Sequence, residues 1–190
     1  MMWIVKRSRA AAIIVAVIAL WSSPQRADAI TLAACAGFGG TVKYDNCYKV
    51  DSTARTWAAS ETAAQALDPE FHLASIHSAV EDAFVLALMK SIALGEYWIG
   101  LNDIAVEGTF VWSDGTVVDY SNWSPGEPNN SGNEDFVVIN TGFGYWNDLG
   151  ASERRPAVFS ARVPEPTALA LMGLGLAGIG CRRQRNKTAL

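Results

Sequence analysis

Glu127-Pro128-Asn129-Asn130-Ser131-Gly132-Asn133-Glu134-Asp135 sets three carboxylates and three side-chain amides within nine residues, and Trp146-Asn147-Asp148 follows ten residues further on. Upstream, Asp103 and Glu107 add two more acids. All of these are hard oxygen donors. Carboxylates mixed with amides suit Ca²⁺, which takes six to eight oxygens at about 2.3–2.6 Å. Zinc is disfavoured, because His72, His77 and the cysteines lie outside this region. The same composition also describes an acidic, solvated loop, and composition alone leaves both readings open.

This stretch closes a polar segment, about 113–134, that has no hydrophobic period. Loops of that length inside compact domains are usually functional. Short β-like pieces surround it: Tyr97–Leu101, Thr109–Trp112, Phe136–Ile139 and Ala157–Arg162. Before it, the texture is helical. Thr56 heads an Ala-rich run to Leu67, which Asp68-Pro69 stops. Ser78-Ala79-Val80-Glu81 is a capping box opening a second helix to about Ile92. Leu73–Ile76 reads as a strand between the helices. Thr41–Tyr44 and Cys47–Val50 flank Asp45-Asn46 as a β-hairpin.

The 190 residues carry 15 basic and 19 acidic side chains, unevenly spread. Residues 1–29 and 163–190 hold eight of the basic and two of the acidic ones, leaving seven and seventeen in 30–162, a net of −10. A middle that acidic excludes a nucleic-acid partner, which needs a positive face, and favours cations. Residues 30–162 also hold five of the seven tryptophans, enough for one core.

The ends read as addresses. Lys6, Arg7 and Arg9 precede the apolar run Ala10–Trp21, and Ala27-Asp28-Ala29 supplies a small-x-small cleavage pattern. That predicts a signal peptide over 1–29. Its apolar run is short of the roughly 20 residues a spanning helix needs. At the other end, Val163-Pro164-Glu165-Pro166 precedes the apolar run Ala168–Cys181 and then Arg182-Arg183-Gln184-Arg185. This order resembles the PEP-CTERM sorting signal of Gram-negative bacteria. The resemblance implies a transient C-terminal membrane anchor over 163–190, cleavage by an exosortase-type machinery, and display at the cell surface or in exopolysaccharide. Cys35 and Cys47 lie in the exported part. In an oxidising compartment they are the intradomain pair available, and in a reducing one they stand as two free thiols.

The middle resembles the C-type lectin-like domain, in order and spacing, over essentially all of 41–160. The resemblance rests on Thr56-Trp57, His72–Ser78, Trp98-Ile99-Gly100-Leu101-Asn102-Asp103, Trp112-Ser113-Asp114-Gly115, Asn122-Trp123, Glu127-Pro128-Asn129 and Trp146-Asn147-Asp148. It implies an α+β fold, with two helices packed on small antiparallel sheets and a long Ca²⁺-binding loop. Carried over, it implies a principal Ca²⁺ and sugar site at Glu127, Asn129, Glu134, Asn147 and Asp148. An auxiliary Ca²⁺ falls on Asp103, Glu107, Asn130, Glu134 and Asp135, with Asn130 where an Asp is common. For Glu127 and Asn129 to converge on one ion, the Glu127–Pro128 peptide is expected to be cis. The family's two usual disulfides are missing. Ala64 with Phe159, and Phe136 with Ala151, stand at the aligned positions, which predicts two buried apolar contacts in their place.

Three functions follow. A Ca²⁺-dependent module for mannose, N-acetylglucosamine or glucose-type carbohydrate leads. A Ca²⁺-stabilised structural or adhesive module that binds protein is the alternative. A glycosidase would use two of Glu127, Glu134, Asp135 and Asp148. Amides interleaved among these acids serve a metal better than an acid/base pair, and no nucleophile has an adjacent base, so the chain reads as a non-enzyme. Trp98, Trp112 and Trp146 read as core, and His72 and His77 as surface or capping groups.

Overall fold

The computed structural model describes residues 30–163. The expected signal peptide and nearly all of the sorting segment lie outside those residues. In chain order the elements are α1 (Leu32–Gly37), β1 (Thr41–Lys43), β2 (Asn46–Arg55), α2 (Trp57–Gln65), β3 (His72–Leu73), α3 (Ala79–Lys90), β4 (Glu96–Asn102), β5 (Val111–Trp112), β6 (Phe136–Asn140), β7 (Trp146–Leu149) and β8 (Arg155–Arg162).

The helices begin where hydroxyl residues cap them. Thr56 Oγ1 accepts from Ala59 N at 3.4 Å, and Ser78 Oγ accepts from Glu81 N at 3.2 Å. The return arm of the capping box is displaced by one residue: Glu81 Oε2 accepts from His77 N at 2.8 Å. The expected α+β arrangement holds, with two additions. A third helix, α1, is capped by Thr31. The strands also form one continuous sheet, ordered β1-β2-β8-β4-β6-β7, with β3 on β8 and β5 on β4. Its pairings are antiparallel except β4 with β8, where Trp98 meets Ala157 in parallel.

Alternation along the central strands divides the core in two. Trp98, Phe136, Val138, Ala157 and Phe159 pack with Trp57 and Ala64 of α2 on one face. Tyr97, Ile99, Val137, Ile139, Trp146 and Val158 pack with Val85 and Met89 of α3 on the other. Gly100 lets two strips of backbone meet. A Cβ there would lie 2.5 Å from the Leu73 carbonyl oxygen and 2.8 Å from Ser113 Oγ.

Cys35 and Cys47 form a disulfide with their Cα atoms 5.7 Å apart, tying α1 to β2. Of the two expected apolar substitutes for disulfides, one stands. Ala64 and Phe159 share a core cluster, both almost wholly buried. The other fails: Ala151 is exposed in the turn after β7. Phe136 instead packs against Trp57, with ring centroids 5.1 Å apart, and Trp98, at 6.3 Å. The turn carries Ala151 away from the sheet face that Phe136 occupies.

Candidate functional site

The long loop leaves β5, returns into β6, and faces the β6–β7 edge of the sheet. In the β6–β7 hairpin Val138 is opposite Asn147 and Val137 is opposite Asp148. Asp148 is buried on β7, while Asn147 beside it is half-buried. Asp148 anchors the loop: its Oδ1 accepts from Asn129 N at 3.2 Å and its Oδ2 from Asn130 N at 2.9 Å. The Glu127–Pro128 peptide is cis. Asn129 Nδ2 donates to Glu127 Oε1 at 2.8 Å. Ser131 N is shared between Asn129 Oδ1 at 2.8 Å and Glu134 Oε2 at 2.9 Å. Glu127, Asn129, Glu134 and Asp148 therefore meet, with Asn147 beside them on β7.

A second acidic group borders the first. Asp103 directly follows β4, and its Oδ2 accepts from Gly108 N at 2.7 Å. Its backbone N–H donates to Asp135 O at 3.2 Å. Asn130, at a left-handed φ of 48°, accepts from Glu134 N at 2.7 Å through Oδ1. Asp135 Oδ2 accepts from Asn133 Nδ2 at 3.0 Å. Glu107 is exposed at the rim, near Asp103, Asp135 and Asn130.

The electrostatics report a crowd of like charges. Partial burial, then the Asp148 and Glu134 carboxylates, push the Glu127 acid above its ordinary range, against the pull of Asn129. Glu134 is raised by lost solvation and by Asp148 and Glu153, against the Ser131 N–H. Glu107 is raised by lost solvation and then by Asp103 and Asp135. Two buried carboxylate oxygens have no hydrogen-bond partner: Glu127 Oε2 in the first group and Asp103 Oδ1 in the second. A buried charged acceptor without a partner is costly, and a cation would satisfy it. Among the described residues no three His, Cys, Asp or Glu side chains form a metal cage by themselves. An ion here would take part of its shell from amides and water, as Ca²⁺ does.

Sequence reasoning missed what holds the loop from behind. Buried Asp82, in the first turn of α3, accepts from Trp146 Nε1 and Asn122 Nδ2, each at 2.9 Å. An acid at that place reads in sequence as a partner of the helix dipole, and nothing local says that it faces inward. Trp98, Trp112 and Trp146 are buried as expected. Trp123 is half-buried, packed on Phe110 at 5.0 Å and Trp146 at 6.0 Å. His72 pairs with Glu61 and His77 with Asp119. A cleft of about 410 Å³ lies elsewhere, lined by His72, His77, Asp114 and Arg162 among others. Glu127, Glu134, Asp148, Asp103, Glu107 and Asp135 are not among its lining residues.

Residues 53–158 match the family model of the lectin C-type domain. The chain belongs to the C-type lectin domain family. Residues 162–185 match the PEP-CTERM protein-sorting motif. The lectin match brings in the low affinity immunoglobulin epsilon Fc receptor of Mus musculus, 45% identical over 102 residues, which are 54% of this chain but only 29% of the receptor. A C-type lectin mannose-binding isoform of Oxyuranus scutellatus is 40% identical over 109 residues, 54% of this chain and 68% of that protein. Among solved structures, the C-type lectin CEL-I of Cucumaria echinata superposes with a TM-score of 0.63 at 30% identity, over 66% of this chain and 96% of that one. A calcium-independent type II antifreeze protein superposes at 0.59 and 29% identity, over 66% and 93%. C-type lectin domains typically bind calcium and sugars, and this fold also occurs in a calcium-independent protein.

Proposed function

We propose that this domain is an exported, calcium-dependent carbohydrate-binding module. Glu127, Asn129, Glu134, Asn147 and Asp148 would hold the principal ion. Asp103, Glu107, Asn130 and Asp135, with Glu134 between the two groups, would hold an auxiliary one. The observation that carries this reading is the pair of orphaned buried oxygens, Glu127 Oε2 and Asp103 Oδ1, one in each group. Bound there, calcium would supply a Lewis-acidic centre for sugar hydroxyls.

The chain's own residues then set which hydroxyls fit. A carboxylate only accepts and an amide nitrogen donates twice. Asn129 Nδ2 spends one N–H on Glu127 Oε1, leaving the other for a sugar oxygen. Glu127 accepts a hydroxyl proton beside it. This order of acceptor and donor supports mannose, N-acetylglucosamine or glucose-type ligands over galactose, as does the likeness to the mannose-binding lectin isoform of Oxyuranus scutellatus. The sorting motif supports release from a C-terminal anchor by an exosortase-type machinery, with display at the cell surface or in exopolysaccharide.

The test is retention of the purified protein on immobilised mannose and galactose, with Ca²⁺ and with a chelator. Mannose retention that the chelator abolishes is expected, and the double substitution Glu127→Gln with Asn129→Asp should weaken it. Equal retention on both sugars, or retention unaffected by chelator, would defeat the proposal. The second reading, an adhesive module that binds protein, is favoured by one observation: the Asn129 and Asn130 amides tie the loop to Asp148 on β7 through the protein's own hydrogen bonds. That reading requires partner binding that free monosaccharide does not displace.

A further inference from the structure

Asp82 is only 5% exposed, yet its carboxylate turns away from its own helix. Oδ1 accepts from Trp146 Nε1 and Oδ2 from Asn122 Nδ2, and the Tyr120 side chain lies beside it. The two donors come from two limbs. Tyr120 and Asn122 lie on the loop strip that leads to Glu127 and Asn129. Trp146 immediately precedes Asn147 and Asp148. Backbone bonds knit the same strips: Trp146 N to Asn122 O at 2.8 Å and Ser124 N to Trp146 O at 2.9 Å. Asn122 Nδ2 also reaches Gly144 O at 2.9 Å.

Both side-chain donors are neutral, and the neighbouring Glu81 repels Asp82. Packing alone gives no reason to bury a charge there. What a carboxylate offers is two acceptor oxygens at once. An amide would turn a donor toward either Trp146 or Asn122. The loop contains no cysteine, so this polar junction is what ties both limbs to the rigid α3.

We propose that Asp82 is a positioning residue for the loop site, fixing the offset between the Glu127–Asn129 limb and the Asn147–Asp148 limb from outside the ligand set. The proposal rests on the calcium reading of that loop. Its sharpest readouts are the amides of Asn129 and Asn130, which donate to Asp148 across the two limbs.

Asp82→Asn in the full chain is the test, read by calcium titration and by hydrogen exchange of the metal-free protein. The variant should fold, shown by a cooperative melt. Its calcium affinity should fall about 10-fold or more, as on loss of an outer partner of a metal site. Exchange at Asn129 and Asn130 should quicken by about an order of magnitude while β1–β2 stays as it was. Wild-type affinity and wild-type exchange at those amides, with only the melting temperature lowered, would overturn the proposal and leave Asp82 a packing residue. If the unmodified chain binds no calcium, the calcium reading falls, and exchange at Asn129 and Asn130 still decides whether Asp82 positions the limbs. Should Asp82→Asn not fold, Asn122→Ala removes the other donor to Asp82 from a half-buried position and must show the same two changes.

Discussion

Asp148→Asn removes one charge and turns one acceptor oxygen into a donor. In the structure both oxygens are in use, by Asn129 N at 3.2 Å and Asn130 N at 2.9 Å. After the substitution one backbone N–H faces an NH₂ group. An N–H orphaned in that way costs about 1–3 kcal/mol. Against this, repulsion of Glu127 and Glu134 is relieved, a gain below about 1 kcal/mol at such partly exposed groups. The metal-free variant should therefore lose about 1–2 kcal/mol, or about 3–10 °C in a domain this size. Calcium at a hundred times its dissociation constant adds about 2.7 kcal/mol to the wild type. The variant, lacking a charged ligand, should gain little at the same concentration, so the gap widens to about 4–5 kcal/mol. Urea melts with and without calcium, beside calorimetric titration, measure both terms. If the metal-free melts coincide, the loop is not held by Asp148. If calcium raises both proteins equally, Asp148 is not a ligand.

Phe159→Ala should cost about 4 kcal/mol by denaturant titration, the middle of the range for a large truncation. Phe159 is paired with Lys49 on one side and Leu73 on the other, so the sheet cannot close over the hole, and a neutral result would show the site to be slack. Gly100→Ala should cost at least about 2 kcal/mol, because its Cβ would collide with the Leu73 carbonyl, and wild-type melting would show that the two strips part easily. The Glu61 hydrogen bond raises the His72 imidazole above its ordinary value, against partial burial. The pair's stabilisation should thus be full below about pH 6.5 and fade as pH rises through the folded-state value, by at most about 1 kcal/mol relative to His72→Gln. A wild-type-minus-variant difference that stays flat from pH 5.5 to 8.5 would contradict this.

What was legible in the sequence was local chemistry. Thr56 and Ser78 announce their helices because a cap is a contact three residues long. The hairpin is displaced by one residue: Tyr44 and Asp45 take the turn, with φ of 51° and 59°, and Asn46 pairs with Lys43. Asp45-Asn46 looked the better turn, but the pairing of Val42 with Cys47 fixes the register. The strand expected over Leu73–Ile76 shortens to His72–Leu73, because Ala74 bonds to Val158 and Gly100 outside a regular ladder. The six residues of α1 have no period to read. At the site, the meeting of Glu127, Asn129, Glu134 and Asp148 was legible because those residue types recur at short, matching spacings. The junction at Asp82 was not, since its partner Trp146 is 64 residues away and only the folded sheet brings them together.

Strand β8 has a mechanical consequence. It ends where the chain runs on toward the sorting motif, and Val163 N is bonded to Asp45 O there. A pull on that end enters β8 lengthwise. On one side β8 is matched to β2 from Asn46 opposite Arg162 to Arg55 opposite Arg155, and on the other it meets β3 and β4. Hydrogen bonds in such a ladder lie across the strand, so tension along it loads them in shear, all at once, instead of peeling them singly. The loop edge, β6–β7, lies beyond β4, away from that load path. A domain hung by its C-terminal end would bear drag in its most fully paired strand while its loop edge stayed slack.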